Sequence, residues 1–548
     1  MSGALTILVV GGYGTFGGRM VELLEHHEGL TFIIAGRSLD KAKAWCAART
    51  GAKAKLVPAQ FDRGADPSPF KPDIVVDASG PFQDYGSDAY KLVEACIRGG
   101  INYIDLADSS DFVMGISAHD AAAKAAGVFV LSGVSSFPVL TAAVVRQLSA
   151  DMPKVESIKG GIAPSPFANV GMNVIRVIAG YAGQDIDAGG RRARPLTEIM
   201  RYTIAVPGRV PVGNRLFSLV DVPDLRILRK IWPDAHVWMG AGPVPEPLHW
   251  SLVGFAWLVR LGLVKSLARL APLMYWAVCR LSWGEHRGGM FVEVSGGGVT
   301  KSWHLLAEGA DGPLIPSMPA ASLVARRLAG EKFAAGARAA LDDITLEDYH
   351  AQFSPRTIYT GTHNDTAEEA LPLHRRILGD AWDRLPQALR DMHGVEGLTT
   401  AEGTGSVARG SGLLAKLACL LMRFPPAGEN LPISVRFDVK GATEKWTRSF
   451  GDSRFSSRIY PGTGRSARLM IERFGPLAFA LALVEENGRL LLVLRRWSIL
   501  GLPLPLWLGP RAVGSEFVQD GRFNFDVKIS HPLTGLIVHY RGWLQRKA

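Results

Sequence analysis

The first residues whose type and spacing could do chemistry are the glycines of Gly12-Tyr13-Gly14-Thr15-Phe16-Gly17. An apolar run, residues 6–10, leads into them, and Met20, Leu23 and Leu24 follow at helical spacing. Between a buried strand and a helix, Gly12 permits a tight turn, Gly14 lets the backbone approach a pyrophosphate, and Gly17 allows helix and strand to pack closely. The helix start adds unpaired N–H groups and a partial positive charge. Gly12, Tyr13, Gly14, Thr15, Phe16 and Gly17 are therefore the expected phosphate contacts.

The second apolar run, residues 31–35, ends in Gly36-Arg37-Ser38 and indicates which nucleotide is bound. A free ribose 2′-hydroxyl is usually met by Asp or Glu at this point. Here a guanidinium can pair with a 2′-phosphate and stack on adenine, and Ser38 can donate a hydrogen bond. The reading is NADP (NADPH) rather than NAD. Asp40 better suits the first turn of the next helix. Ser79, Gly80 and Pro81 follow the apolar run 73–78, at a strand's C-terminal end, where ligands sit in such sheets.

These residues need a scaffold, and the pattern supplies one. Strands at 73–78, 103–106 and 128–131 alternate with helices at 89–98 and 118–126, which predicts a doubly wound parallel sheet. Residues 1–145 form this Rossmann domain. Residues 146–355 form a second α/β domain for substrate or dimerisation, with a strand at 157–162, a helix at 173–182, a strand at 291–294 and helices at 320–329 and 333–341. Residues 356–400 are a helical linker region. Residues 401–548 are a basic C-terminal domain rich in antiparallel strands. There Ile433, Val435, Phe437 and Val439, and again Phe523, Phe525, Val527 and Ile529, alternate with polar neighbours. Asn487-Gly488 signals a hairpin. Residues 403–412 read as a glycine- and serine-rich link and 413–422 as an apolar helix. The expected result is a curved sheet with helices around an apolar cavity.

The motifs resemble the saccharopine dehydrogenase-like family. The glycine turn, AGRS, DIVVDASGPFQDYG, EACIRGGINYIDLAD and AAGVFVLSGV occur in its order over residues 5–141. A weaker likeness runs to about residue 349 through MFVEVSGGG and GPLIPSMPAASLVARRLAGE. The resemblance implies an NADP-binding Rossmann domain with a second α/β domain resting on it. One departure is Gly133-Val134-Ser135-Ser136-Phe137-Pro138, where such proteins often carry a Cys-Gly-Phe-Asp-Ser-like segment, so nucleotide binding transfers better than saccharopine chemistry. Residues 371–543 resemble an uncharacterised domain family found fused to such modules, through LGDAWDRLP, EKWTRSFG, RFGPLAFAL, LPLPLWLGP and FNFDVKISHPLTGLIVHYRGWL.

Other chemistries are disfavoured. No Tyr-x-x-x-Lys pair exists, which argues against an ordinary short-chain dehydrogenase. Cys46, Cys96, Cys279 and Cys419 are far apart, so neither a disulfide framework nor a cysteine zinc site is expected and a reducing, cytoplasmic compartment fits. Pro532 and Gly535 predict a turn between His531 and His539, so no metal site is expected. No catalytic proton donor can be named. Ser165, Asn169 and Asn173 are polar candidates for the substrate domain. Arg448, Arg454, Arg473 and Glu516 could line a pocket but read better as surface charges.

The net charge is +10, and residues 401–548 alone hold 21 Lys+Arg against 11 Asp+Glu. The basic residues are dispersed, which disfavours nucleic acid. Residues 248–283 carry Trp250, Trp257, Trp276 and Trp283 around apolar runs broken by Arg260, Lys265 and Arg269. Neither run reaches the roughly 20 residues of a membrane span. The favoured reading is a buried helical hairpin that covers the domain or forms a homodimer. The competing one is a membrane-lying pair giving peripheral membrane contact through 248–283. The functional expectation is an NADP-binding oxidoreductase for a small or lipid-like substrate bound between domains. The alternative is a non-catalytic NADP-sensing or scaffold protein whose C-terminal β-domain binds a lipid or protein partner.

Overall fold

The structure is a computed structural model that describes residues 4–168 and 171–547. Its chain divides into two compact units: Met1–Arg201 with Leu216–Gly298 and Leu306–Tyr359, and Tyr202–Arg215 with Val299–Leu305 and Thr360–Ala548.

The first unit begins with β1 (Leu5–Val10), α1 (Thr15–Leu24), β2 (Leu30–Gly36), α2 (Leu39–Ala47), β3 (Lys55–Gln60), β4 (Ile74–Asp77), α3 (Lys91–Arg98) and β5 (Asn102–Asp105). It continues through α4 (Ser110–Gly115), α5 (Asp120–Ala126), β6 (Phe129–Ser132) and α6 (Thr141–Ser149). The strands form a parallel sheet in the order β15-β6-β5-β4-β1-β2-β3, where β15 is Gly336–Ala339. Residues of β1 and β4 are almost wholly buried, as expected of strands covered by helices on both faces. Val10 pairs with Ala35 on one side and Asp77 on the other, and Asp77 pairs with Asp105. The C-terminal ends of the four central strands are thus level, and strand order reverses between β1 and β4, the crevice where such sheets bind ligands.

The strand β15 corrects the helix expected over 333–341. Alanine and arginine there favour a helix locally, but Gly336–Ala339 pairs in parallel with Phe129–Ser132, and Ala337 is buried by that pairing. A tertiary partner some 200 residues upstream overrides local propensity.

The chain then forms β7 (Ser157–Ala163), α7 (Met172–Tyr181), the short ladder β8 (Ile186–Asp187) and β9 (Arg192–Ala193), β10 (Ile199–Ile204), β11 (Gly213–Leu219), α8 (Asp224–Ile231) and β12 (His236–Ala241). After these come α9 (Glu246–Arg260), α10 (Ala271–Arg280), β13 (Arg287–Gly296), β14 (Val299–Glu308), α11 (Met318–Leu328), α12 (Leu346–Phe353) and β16 (Ile358–Asn364). A mixed second sheet has the order β10-β11-β12-β7-β13-β14-β16. The apolar segment 248–283 is two short helices, and no helix among the described residues is long and apolar enough to cross a membrane. Its inner face, with Ala256, Val259 and Ala271, packs against α7. Its outer face leaves Trp250, Trp257, Leu273, Trp276 and Trp283 exposed among the described residues.

The second unit holds α13 (Asp365–Glu368), α14 (Leu373–Leu378), α15 (Gln387–His393), β17 (Leu398–Arg409), α16 (Leu413–Leu421), β18 (Gly428–Lys440), β19 (Thr443–Phe450), β20 (Ser453–Pro461), β21 (Met470–Phe474) and β22 (Leu477–Glu486). It ends with β23 (Arg489–Ile499), β24 (Leu502–Leu504), β25 (Arg511–Gln519), β26 (Arg522–His531) and β27 (Gly535–Arg546). Neighbouring strands are antiparallel, β22 also pairs with β23, and β17 pairs with β27, so ten strands close into an up-and-down barrel with β24 as an appendage. Asn487 (φ 51°) and Gly488 (φ 74°) make the expected hairpin turn.

Residues 403–412, expected as a link, are mostly strand β17. A Cβ on Gly403 would lie 1.9 Å from the Trp543 carbonyl oxygen, so the glycine is what lets β17 and β27 approach and close the barrel.

Four segments of the second unit are tied by one buried polar knot. His363 holds Glu368 through Nδ1 (3.0 Å) and the Ala205 carbonyl through Nε2 (3.0 Å). Ala205 N–H donates to His304 Nδ1 (3.2 Å), and Arg468 pairs with both Glu368 (2.9 Å) and Asp365. Removing one charge from such a knot strands its partners in low dielectric. Arg468→Met is expected to destabilise this unit by roughly 2–4 kcal/mol in chemical denaturation.

Candidate functional site

At the glycine turn the left-handed residue is Gly11, φ 78°, one position before the first glycine of the spacing motif. A Cβ there would meet the Ala78 carbonyl oxygen at 2.8 Å, so the turn is pressed against the end of β4. A Cβ on Gly17 would stand 2.5 Å from the Gly11 carbonyl oxygen, which is the close helix packing expected of that position. Gly14 is the N-cap of α1; it offers no side-chain cap, and the first turn has no acidic residue. The first-turn N–H groups of α1 are thus left to an external anion, which suits a pyrophosphate.

The end of β2 is held by the turn itself. The Ser38 N–H donates to the Tyr13 hydroxyl (3.1 Å), whose ring covers Gly36 so closely that a Cβ there would overlap it. Ser38 Oγ caps α2 by accepting from Lys41 N–H (3.4 Å), and Asp40 lies in the first turn of that helix. The Arg37 side chain is exposed, and its guanidinium makes no hydrogen bond or ion pair among the described residues. A cation thus stands at the strand end without a partner among the described residues.

Ser79, Gly80 and Pro81 lie at the end of β4, above a buried network. Asp77 is fully buried; it accepts from Ser79 Oγ (2.6 Å), Arg63 Nε (2.7 Å) and the Tyr103 hydroxyl (3.2 Å). Arg63 stacks on the Tyr85 ring at 3.9 Å, and Tyr85 meets Ser79 Oγ at 3.0 Å. The network fixes the β4 end from below. From above, Asn173 Nδ2 donates to the Gly80 carbonyl (3.0 Å), and a Cβ on Gly171 would stand 3.3 Å from Thr15 Oγ1. The start of α7 therefore faces both the glycine turn and the β4 end. Of the three polar candidates, Asn173 joins the site, Ser165 caps its own loop by accepting from Phe167 N–H (3.2 Å), and Asn169 lies outside the described residues.

Beyond Gly80 the same cleft holds three ionisable groups that sequence reasoning missed. Asp108 follows β5 and accepts from Gln83 Nε2 (3.3 Å). Burial raises its pKa, and the nearby Asp221 charge raises it further. Asp221 accepts from Ser110 Oγ (3.0 Å) and is itself raised by burial. The Tyr181 phenol, at the end of α7, hydrogen-bonds the Asp221 backbone; burial, then Asp221 and Asp108, push its pKa up. A carboxyl whose pKa is raised by burial beside a second carboxyl is a candidate proton donor.

The barrel encloses a separate cavity of about 420 Å³. Its wall is almost entirely apolar, with Phe437, Phe450, Phe474, Phe479, Phe523 and Phe525 prominent. The charges inside are paired: Arg448 with Glu472 (2.9 Å) and Ser457 (2.8 Å), and His393 with Glu516 (2.6 Å). His374 stacks on His393 with ring centroids 4.1 Å apart, and burial holds its pKa well below the usual histidine value. Arg448 and Glu516 thus line the cavity rather than the surface, whereas Arg454 is exposed and Arg473 turns outward to the Gly475 carbonyl (2.9 Å). Among the described residues no cluster of His, Cys, Asp or Glu could hold a metal ion, and all four cysteines are free.

With this geometry in place, comparison with known proteins is direct. Residues 7–131 match the saccharopine dehydrogenase NADP binding domain. Residues 385–544 match a domain of unknown function, DUF4166. No curated protein matches the chain. Solved structures with similarity include GenD2 from gentamicin A biosynthesis in complex with NAD, at 14% identity and TM-score 0.31, covering 66% of this chain and 97% of that one. A probable dehydrogenase from Thermotoga maritima matches at 13% identity and TM-score 0.31, covering 63% and 92%. A secretory abundant heat soluble protein from Ramazzottius varieornatus matches at 10% identity and TM-score 0.18, covering 27% of this chain and 93% of its own.

The first parallel sheet carries one buried acid with a readable titration. Asp105 Oδ1 accepts from Ala107 N–H (3.0 Å), Gly133 N–H (2.8 Å) and Ser132 Oγ (3.0 Å), while Oδ2 has no partner. Burial outweighs those bonds and pushes its pKa up to about 7. The folded state then binds a proton that the unfolded chain releases near pH 4, so stability falls as pH rises from about 4 to about 7. Asp105→Asn keeps the accepting oxygen and is expected to flatten the fall of Tm across that window, measured by calorimetry. An unchanged slope would show that Asp105 is already ionised in the fold.

Proposed function

We propose that the chain is an NADPH-dependent oxidoreductase that acts on a neutral, lipid-like molecule. The observation that carries this is the uncapped start of α1 set beside the free Arg37 guanidinium, a phosphate-binding turn with a cation where the 2′-phosphate falls. The match of residues 7–131 to an NADP binding domain supports the same cofactor. Gly12 to Gly17 would hold the pyrophosphate by backbone N–H groups, Arg37 and Ser38 the 2′-phosphate, and Ser79, Gly80 and Pro81 the nicotinamide side of the crevice. A bound nicotinamide supplies hydride transfer. The chain's own part is to orient the substrate and move a proton.

For the proton we propose Asp108. It lies beyond Gly80 beside Gln83, and burial with the nearby Asp221 charge raises its pKa, the direction that favours a proton donor. A carbonyl reduced here takes hydride on carbon and the Asp108 proton on oxygen. Asn173, fixed on the Gly80 carbonyl, would position the substrate. The barrel cavity supports the lipid-like class. Its volume lies in the usual range for small-molecule sites, about 300–1,000 Å³, and its internal polar groups already bond to each other, Arg448 to Glu472 and His393 to Glu516. A charged ligand would break those pairs, and a neutral apolar one would not. The exposed Trp250, Trp257, Trp276 and Trp283 support a peripheral membrane contact through 248–283.

Two measurements test this reading. In titration calorimetry the wild type binds NADPH more tightly than NADH, and Arg37→Asp weakens NADPH by roughly tenfold or more while leaving NADH largely unaffected. Equal affinity of the wild type for both nucleotides would sink the NADP assignment. Asp108→Asn lowers kcat by about 10²–10⁴-fold with NADPH affinity unchanged. Full activity in that variant would move the proton donor elsewhere in the cleft.

A further inference from the structure

One end of the barrel carries an apolar rim that is exposed among the described residues. On α16, Leu413 is 85% exposed and Leu420 75%, with Leu414, Leu417 and Leu421 also outward. The β26–β27 turn adds Leu533, and the segment after β24 adds Leu506, Trp507 and Leu508. These pieces are neighbours. The His531 ring bonds the Leu508 carbonyl (3.4 Å), and a Cβ on Gly412 would stand 3.9 Å from the Thr534 carbonyl oxygen.

The rim surrounds the way into the cavity. Ala418 of α16, Met422 at its C-cap and Leu421 at the rim line the cavity wall, and so do Pro510, His531 and Thr534. One helix therefore has solvent-exposed leucines on its outside and ligand space on its inside. The charge around it is predominantly basic, with Glu429 and Asp452 as exposed acids at the same end. Residues 403–428 contain no Asp or Glu but carry Arg409, Lys416 and Arg423. Residues 495–515 contain none but carry Arg495, Arg496 and Arg511, and residues 527–536 contain none but carry Lys528. Much of the C-terminal charge surplus therefore sits in the segments that build this end.

We propose that this rim docks on an anionic lipid bilayer, seating α16 in the interface so that a lipid passes directly between membrane and cavity. Apolar side chains enter the acyl boundary while lysines and arginines meet headgroup phosphates. An exposed apolar patch bordered by segments with a net basic charge suits such a surface better than a second copy of the same basic barrel, which it would repel. The proposal rests on the cavity being the lipid site put forward above.

The test uses the full chain, vesicles of phosphatidylcholine with and without phosphatidylglycerol, and the neutral probe N-phenylnaphthylamine. Flotation is expected to show binding to the phosphatidylglycerol vesicles and at least tenfold less to phosphatidylcholine alone. Leu417→Glu with Leu420→Glu, both at exposed positions, should reduce binding and probe loading from vesicles tenfold or more. Uptake of probe dissolved in buffer and NADPH affinity should stay unchanged, which also reports intact folding. Equal binding to both vesicles, or unaltered binding by the double variant, overturns the proposal. So does loss of all binding in Trp257→Glu with Trp276→Glu, which would place the contact on α9 and α10. A dimer seen in sedimentation and abolished by the leucine substitutions would show that a second copy covers the rim, and overturns it too. If dissolved probe never enters the wild type although vesicles bind, the cavity reading fails and the docking surface stands.

Discussion

A Cβ on Gly17 would lie 2.5 Å from the Gly11 carbonyl oxygen, and one on Gly11 would lie 2.8 Å from the Ala78 carbonyl oxygen. Both contacts are closer than any side chain tolerates. They bring the start of α1, the end of β1 and the end of β4 to one point. With β1 paired in register to both β2 and β4, that point is also the crevice where strand order reverses. Three other features then have their places set. The Tyr13 hydroxyl reaches the Ser38 N–H and fixes the end of β2, where Arg37 emerges. The Asp77 network fixes Ser79. Asn173, held on Gly80, brings α7 over the crevice.

The second unit answers a different constraint. Ten antiparallel strands must close without leaving an edge, and closure needs β17 and β27 to run near enough to pair. Gly403 supplies that approach by removing a Cβ from the path of the Trp543 carbonyl. Once closed, inward residues have no solvent, so polar ones must pair with each other. Arg448 with Glu472 and His393 with Glu516 do so, and the remaining interior is left to aromatic and aliphatic side chains around an open volume.

Much of the nucleotide site was legible because its chemistry is local. Glycine spacing, strand ends and the Arg37 position lie within 40 residues of one another. The left-handed Gly11 was missed because it precedes the motif and is set by contact with β4, far along the chain. Asp108, Asp221 and Tyr181 were missed because three separate segments contribute them. The strand β15 was hidden by its helix-favouring composition, and β17 by glycines that resemble a link. For the barrel charges a signal was present and unused. In β19 the buried positions Glu444, Trp446 and Phe450 share parity with Arg448, whereas Arg454 alternates with the buried Phe455 of β20. Period two alone separates the inward arginine from the outward one.

The central claim is that nicotinamide chemistry in this chain acts on a neutral apolar molecule of the kind the barrel can hold. The most direct measurement follows an isotope. The purified protein is loaded from a lipid extract, given NADPH deuterated at the transferable position of the nicotinamide, and the bound lipid is then recovered for mass spectrometry. Deuterium in a recovered neutral lipid, absent when the protein is withheld, is the result expected. Lipid recovered from the barrel without label, while NADPH is bound and remains deuterated, would contradict it.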